Sequence, residues 1–452
     1  MQTSFSLAQL ADSQVAESEK ILRTCVHCGF CQATCPTYLL LGDELDSPRG
    51  RIYLIKDMLE NDRPATADVV KHIDRCLSCL ACMTTCPSGV HYMHLIDHAR
   101  VRIEKTYRRP SVDRWVRSAL AWVLPNNARF RWALRAAVIG RAFAPLLVAL
   151  GLKRLAAALR LAPARLPRRS ASEGRRLIPA QGARKGRVAL VPGCVTPVVG
   201  PAILDATIRV LTRHGIDVVL PEGQGCCGGL VHHMGQEAAA HDAACRNVSA
   251  WTFELGGEGL DAIVLTASGC GTTVKDYGFM LRNDPAFAVA AERVSGLAVD
   301  ICEYLDRAGL LPTAAPNGLT VAYHAACSLQ HGQKITREPK ELLSKLGFVV
   351  KDVPEAHLCC GSAGTYNILQ PDIAGRLRQR KVGNIEKVKP DVIAAGNIGC
   401  ISQIAAGTAI PIVHPVELID WATGGPQPAA LQGKFKRKGI AAASAKAAET
   451  AI

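Results

Sequence analysis

GQGCCGGLVHH, residues 223–233, sets two cysteines side by side ahead of a glycine, and HLCCGSAGTYN, residues 357–367, does so again. Adjacent cysteines seldom bridge each other, because the small ring strains the peptide and the disulfide alike. Working outward, Cys194, Cys226, Cys227 and Cys270 recur as Cys327, Cys359, Cys360 and Cys400, at offsets of 133, 133, 133 and 130 residues. Short apolar runs lead into each cysteine segment: VALVPG, DVVLP and AIVLTAS in the first copy, LTVAYH, FVVKDV and VIAAGN in the second, followed by PIVHP. PAILDATIRVLTRHG, between two such runs, has helical periodicity. Strand and helix in alternation predict a duplicated α/β domain with its thiols at strand ends, where distant segments converge.

The chain has 452 residues, enough for two or three domains, and 48% apolar residues, enough for sizeable cores. Its first twenty residues carry acids and no apolar signal-peptide core, so the sequence reads as cytosolic. In that compartment 18 cysteines argue for metal rather than disulfides, and 16 of them fall into four regular groups. Cys245 and Cys302 stand outside these groups and read as small apolar residues. The net charge of +14 is local: residues 100–187 hold 22 Lys and Arg against three acids, a balance of +19 that leaves −5 elsewhere. The expected domains are an α-helical one over 1–99, a basic amphipathic helical connector over 100–186, α/β repeats over 187–315 and 316–424, and a low-complexity tail over 425–452. The fold class is therefore α plus α/β. Within the first domain Ser47 caps a helix that Pro48 opens, with Ile52, Leu54, Ile55, Met58 and Leu59 on its apolar face.

That domain carries CVHCGFCQATCP at 25–36 and CLSCLACMTTCP at 76–87, both of the form CxxCxxCxxxCP. Three closely spaced thiolates wrap three corners of an iron-sulfur cube, and the proline turns the chain away after the fourth. In two-cluster ferredoxins the fourth cysteine of each run serves the other cluster. This assigns Cys25, Cys28, Cys31 and Cys86 to one 4Fe-4S cluster, and Cys76, Cys79, Cys82 and Cys35 to a second. Structural zinc sites favour ligand pairs over a three-plus-one run. His27 and His91 read as packing or solvated residues, since the thiols already fill each cube. The long gap between the runs resembles the helical ferredoxin domains of respiratory dehydrogenases.

Gly223-Gln-Gly225-Cys-Cys-Gly228 matches a dinucleotide fingerprint only formally, because the second copy keeps the cysteines and not the glycines. The eight repeat cysteines, Cys194, Cys226, Cys227, Cys270, Cys327, Cys359, Cys360 and Cys400, are expected to face one another across the lobes as one candidate site. They permit a third iron-sulfur cluster, another metal such as zinc, or redox-active thiols. His324 and His331 flank Cys327, and His232 and His233 follow the first pair; packing or surface roles are the simpler reading of each. In the connector the longest uncharged run, 142–152, has 11 residues and contains Pro145, too short to span a bilayer. The connector suits a membrane surface, a partner subunit or a plain packed linker; nucleic acid is disfavoured for want of a reader motif.

Taken together, residues 25–59, 75–92, 266–278 and 357–381 resemble the iron-sulfur subunits of bacterial glycolate oxidase, over 20–95 and 187–420 in all. The cluster runs alone are shared with anaerobic glycerol-3-phosphate dehydrogenase, lactate-utilisation and heterodisulfide reductase subunits. The resemblance implies a two-cluster ferredoxin domain followed by duplicated cysteine-rich CCG domains, with no substrate chemistry on this chain. It further implies FAD on a partner subunit that oxidises glycolate to glyoxylate, a second flavin-fold subunit, and quinone or another acceptor for the electrons. The setting implied is cytoplasmic, peripheral on the inner face of the membrane. The alternatives are the iron-sulfur subunit of a D-lactate or glycerol-3-phosphate dehydrogenase, or a heterodisulfide-reductase-like thiol enzyme. In that last family the final cysteine belongs to a CxxC pair, and here Ala267 and Asn397 take its first position.

Overall fold

The computed structural model describes residues 1–170, 173–174, 176–309 and 318–433. The boundary expected at 315/316 and the tail from 434 lie outside the described residues. Among the described residues nine strands form two sheets: β1 (Leu177–Ile178), β2 (Gly186–Val191), β3 (Ile216–Val219), β4 (Ala262–Leu265) and β5 (Ala298–Asp300) in one. β6 (Thr320–His324), β7 (Val349–Asp352), β8 (Val392–Ala395) and β9 (Ile412–Val413) form the other. The orders β3-β2-β4-β5 and β7-β6-β8-β9 are the same parallel arrangement twice, with registers such as Val191↔Leu265 and His324↔Ala395 in matching places. β1 comes from the segment read as connector and adds an antiparallel edge, Leu177 opposite Val219.

The sheets are fused through one apolar core. Val188, Leu190, Val218, Val321, Tyr323, Val392 and Trp421 belong to it, so side chains from both copies are buried together. Across this core the helix Pro201–Arg213 meets the helix Pro415–Ala422, where Arg209 and Arg213 both bind Asp420, itself 1% exposed. His414 caps the second of these helices: Nδ1 accepts the Val416 N–H at 3.1 Å, and Nε2–H donates to the Thr266 carbonyl of the first repeat at 2.9 Å. Burial pulls its pKa down to about 4, so the unfolded chain takes up a proton that the folded one refuses. Stability from His414 is therefore complete above pH 6.5 and lost as the pH falls towards 4, by about 3 kcal/mol. Urea unfolding from pH 7 to 4.5 is expected to show this slope. His414→Asn should flatten it, and an unchanged slope in that variant would refute the assignment.

Residues 1–106 are helical, and the helix Pro48–Glu60 begins as expected, with the Ser47 hydroxyl accepting the Gly50 N–H. Its Ile52, Ile55, Met58 and Leu59 are buried with Leu22, Ile73, Leu95, Ile96 and Ile103. The connector folds into the helices Ser111–Val123, Asn127–Gly140, Ala144–Ala149 and Lys153–Leu161. Some of its charge is neutralised: Arg109 and Arg117 bind Asp74 and Asp113, and Arg154 also binds Asp113. Arg129 lies over Trp122 and Arg135 over Trp132, with Trp115, Trp122, Trp132 and Ile139 exposed. Helical continuity over Asn127–Ala149 gives 23 residues, long and apolar enough to cross a membrane by length and composition, with 11% of the most apolar window buried. The 11-residue uncharged run read from the sequence forms the second half of this stretch.

Candidate metal centres

In the helical part the two cysteine runs adopt the same backbone. Left-handed residues fall at His27 and Gly29 in the first and at Ser78 and Leu80 in the second, 51 residues apart in both cases. Non-glycine residues hold such conformations when the surroundings dictate them, and alternating turns of this kind direct successive N–H groups to one side. The Ser78 N–H donates to Cys76 Sγ at 3.5 Å, and the Tyr92 hydroxyl to the same sulfur at 3.8 Å. All 18 cysteines are free of disulfides.

Two clefts open between the runs. One is lined by Cys25, Cys28, Cys31, Cys86 and Cys82; the other by Cys76, Cys79, Cys82 and Cys35. In each, three thiols of one run meet the fourth thiol of the other. Burial pushes Cys31 up to about 11, with Cys25 and Cys35 adding to the rise, and burial likewise raises Cys79 and Cys82. Thiols so placed are poor thiolates unless cationic charge is brought to them, which a metal supplies. Arg51 is sealed against the second cleft, 1% exposed, with Nη1 3.9 Å from Cys35 Sγ. Burial opposes its charge, yet Cys76, Tyr92, Cys35 and Asp46 outweigh that and keep it protonated. Sequence reading missed Arg51, because a lone arginine on a helix carries no motif. His27 and His91 lie beside the runs, and burial lowers the pKa of both.

Each α/β repeat gathers its own four thiols at the carboxyl ends of its parallel strands. Cys194 and Cys226 are 3.6 Å apart and Cys227 lies beside Cys270; in the second copy Cys327 and Cys359 are 3.8 Å apart and Cys360 lies beside Cys400. Among the described residues every thiol–thiol hydrogen bond in the repeats stays within one repeat, so the expected single eight-thiol site is two separate quartets. Where the repeats meet beyond the ends of β4, β6 and β8, they do so through polar residues: Ser268 bonds Gly396, Asn397 and Ser328, and no thiol takes part. Hydrogen bonds from Cys194 and Cys227 pull the Cys226 thiol down, while Cys194 and Cys227 are pushed up. Gly228 (φ +80°) and Gly361 (φ +90°) explain why the turn has the same shape in both repeats: a Cβ on Gly361 would stand 2.7 Å from the Ala374 carbonyl oxygen, and one on Gly228 3.1 Å from that of Ala240. Asn397 caps the helix Ile398–Ala405 and donates to Ser268 Oγ across the repeats, so the residue in the place of a cysteine has a structural task.

The second quartet abuts the helical part. Cys79 packs with Cys359, Tyr366 and Ala374, and Cys327 lies against them. Tyr366 donates to the Arg75 carbonyl at 3.0 Å, and His331 Nδ1 is 2.7 Å from Thr84 Oγ1. The first repeat docks elsewhere, through His232 and His233 on Asp97 and His94 on Asp276, so these histidines are interface residues. Cys302 is buried as expected, whereas Cys245 is half-buried beside His241 and Asp284. His324 is 1% exposed, neither ring nitrogen has a hydrogen-bond partner, and it lies with Cys360 and Cys400.

A helical region with two interlocked thiol clefts, followed by a twice-built α/β thiol domain, defines an iron-sulfur protein of the electron-transfer class. Residues 21–90 match the 4Fe-4S dicluster domain, and residues 188–275 and 321–405 each match the cysteine-rich domain. The chain is 42% identical over 424 residues to the glycolate oxidase iron-sulfur subunit of Escherichia coli K12, covering 93% of this chain and 99% of that one. It is 31% identical to the probable glycolate oxidase iron-sulfur subunit of Bacillus subtilis 168, over 85% and 89% of the two chains. Lactate utilization protein A of Shouchella clausii is 25% identical over 52% of this chain and 98% of its own. A hypothetical protein from Helicobacter pylori shares the fold, with a TM-score of 0.53, 10% identity, and 93% of this chain and 74% of that one covered. The chain belongs to the family of glycolate oxidase iron-sulfur subunits.

Proposed function

We propose that this chain relays electrons from a flavin-bearing partner that oxidises glycolate to glyoxylate, towards quinone or another acceptor, on the cytoplasmic side of the membrane. The observation that carries the reading is the crossed lining of the two clefts, which matches the donor set of two 4Fe-4S clusters. Cys25, Cys28, Cys31 and Cys86 hold one and Cys76, Cys79, Cys82 and Cys35 the other. Such clusters, when bound, accept and release single electrons. The chain's own part is to fix eight thiolates on a rigid helical frame, to exclude water around Cys79 and Cys82, and to set a buried positive charge, Arg51, beside the second set. The 42% identity along almost the whole of a glycolate oxidase subunit supports glycolate as the partner's substrate. FAD on that partner, and a second flavin-fold subunit, follow from the same kinship.

Anaerobically purified protein is expected to contain about eight irons and eight labile sulfides per chain. In the presence of the flavin subunits, glycolate should bleach the cluster absorbance and D-lactate should do so much more slowly. About four irons, or no bleaching by glycolate in the assembled complex, would overturn the reading.

A further inference from the structure

Of the 21 large apolar side chains that stand exposed among the described residues, 11 lie between Val112 and Leu155, about a tenth of the chain. They are not scattered. On the helix Ser111–Val123 the exposed set is Val112, Trp115 and Trp122, at intervals of three and seven. Along Asn127–Ala149 the most exposed are Trp132, Ile139, Phe143 and Leu146, at intervals of seven, four and three, from 56% to 77% exposed. Such intervals put each set on one helix face. Arg129 joins the two sets: its guanidinium lies over the Trp122 ring, and it precedes Trp132 by one helical turn.

The positive charge around these faces is unanswered. The connector's own acids are already engaged: Asp113 by Arg109, Arg117 and Arg154, Glu104 by Arg109, and Glu173 by Arg169. Among the described residues no ion pair reaches Arg114, Arg129, Arg135 or Arg141. Arg135 lies over the Trp132 ring, as Arg129 does over Trp122. Indole beside a cation is the pairing that suits the boundary between acyl chains and headgroup phosphates. The opposite side of the second helix is held by protein: Leu134 is buried with Ala162 and Val198, and Arg131 donates to the Pro197 carbonyl at 2.9 Å. A helix so anchored to the first repeat has one free face, and it lies along a bilayer rather than through it. We propose that the helices Ser111–Val123 and Asn127–Gly140, continued by Ala144–Ala149, form an in-plane docking surface for an anionic phospholipid bilayer. Trp115, Trp122, Trp132, Ile139 and Phe143 enter the acyl boundary, and the arginines meet lipid phosphates.

Charge selects lipid as the occupant. A protein partner would have to present an acidic face of the same extent, whereas an anionic leaflet is negative wherever the surface lands. Apolar insertion and basic attraction are the two signals that together give stable yet reversible attachment. The purpose of the surface rests on the relay proposed above: quinone is dissolved in the bilayer, and a chain lying on that bilayer reaches it without a spanning segment. Binding to lipid does not itself need the relay.

The test uses the full chain, purified anaerobically with its iron, and vesicles of phosphatidylcholine with or without about one third phosphatidylglycerol. Flotation at about 0.1 M salt should recover the chain with the anionic vesicles and at least about tenfold less with the neutral ones. Tryptophan emission should shift to the blue on binding and be quenched by lipids brominated in the acyl chain. Trp122→Ser combined with Trp132→Ser and Ile139→Ser should lower vesicle binding at least about tenfold, and Arg129→Glu with Arg135→Glu about as much. Both variants change exposed residues, so iron content and glycolate-dependent reduction of a soluble dye by the assembled complex should stay unchanged. If a variant fails to fold, quenching in the unmodified chain decides alone. Dye reduction reads the relay and flotation reads the surface, so either can fail without the other. Absence of flotation with both vesicles, unquenched tryptophans, retention in membranes through alkaline carbonate as for a spanning protein, or variants that lose the flavin subunits but keep lipid binding would each overturn the proposal.

Discussion

Cys79→Ser is expected to abolish glycolate-dependent acceptor reduction in the assembled complex, lowering it by at least about 100-fold, a barrier increment of roughly 3 kcal/mol. Under the proposed assignment Cys79 is one of four ligands to the second cluster, and a serine hydroxyl is a hard, rarely ionised replacement for a soft thiolate. The site is also where the helical part meets the second repeat, with Cys79 packed against Cys359 and Tyr366. Iron should fall towards about four per chain, and reduced samples should keep one paramagnetic signal, that of the set Cys25, Cys28, Cys31 and Cys86. Cys302→Ser is the control, since Cys302 is buried outside every thiol group. It should cost some stability and leave the relay intact. Full turnover in Cys79→Ser would sink the assignment.

Arg51→Leu should lower the reduction potential of the second cluster by tens of millivolts, because a buried positive charge stabilises the more negative, reduced state. The guanidinium donates to the His72 carbonyl at 2.7 Å and to Thr37 Oγ1 at 3.0 Å, and stands 3.5 Å from Asp46, which is fully buried. Asp46 keeps His72 and Arg75 as partners when Arg51 is lost, so the stability penalty should be about 2–4 kcal/mol rather than the full cost of an orphaned buried charge. Arg51→Lys separates the two effects: it retains the charge near Cys35 but loses the planar fork. Its potential should stay close to the wild type while its urea midpoint falls. Redox titration followed by paramagnetic resonance reads the first effect, and equal potentials in all three proteins would refute it.

Much of the fold was legible because the duplication is arithmetic. The constant offset of the cysteines located equivalent strands, and all seven apolar runs form strands in the places expected. β1 and β5 escaped notice, whereas β9, just as short as β1, was found because it lies in the apolar run PIVHP. The Ser47–Pro48 helix start was legible because capping is a local hydrogen bond between near neighbours.

The two CxxCxxCxxxCP runs by themselves determined that the chain holds iron-sulfur chemistry, because ligand spacing within a run is a property of a few consecutive residues. The constant cysteine offsets and the alternation of apolar runs with helical periodicity by themselves determined a twice-built α/β domain. Only the tertiary structure decided that the repeat thiols form two quartets rather than one, that Cys79 meets the second of them, and that His324 faces Cys360 and Cys400 without another partner. These depend on which ends of the sheets lie together and on what is excluded from water between elements hundreds of residues apart, as with Arg75 and Tyr366, 291 residues apart. No local pattern encodes such distances; the shared core beneath the helices sets them.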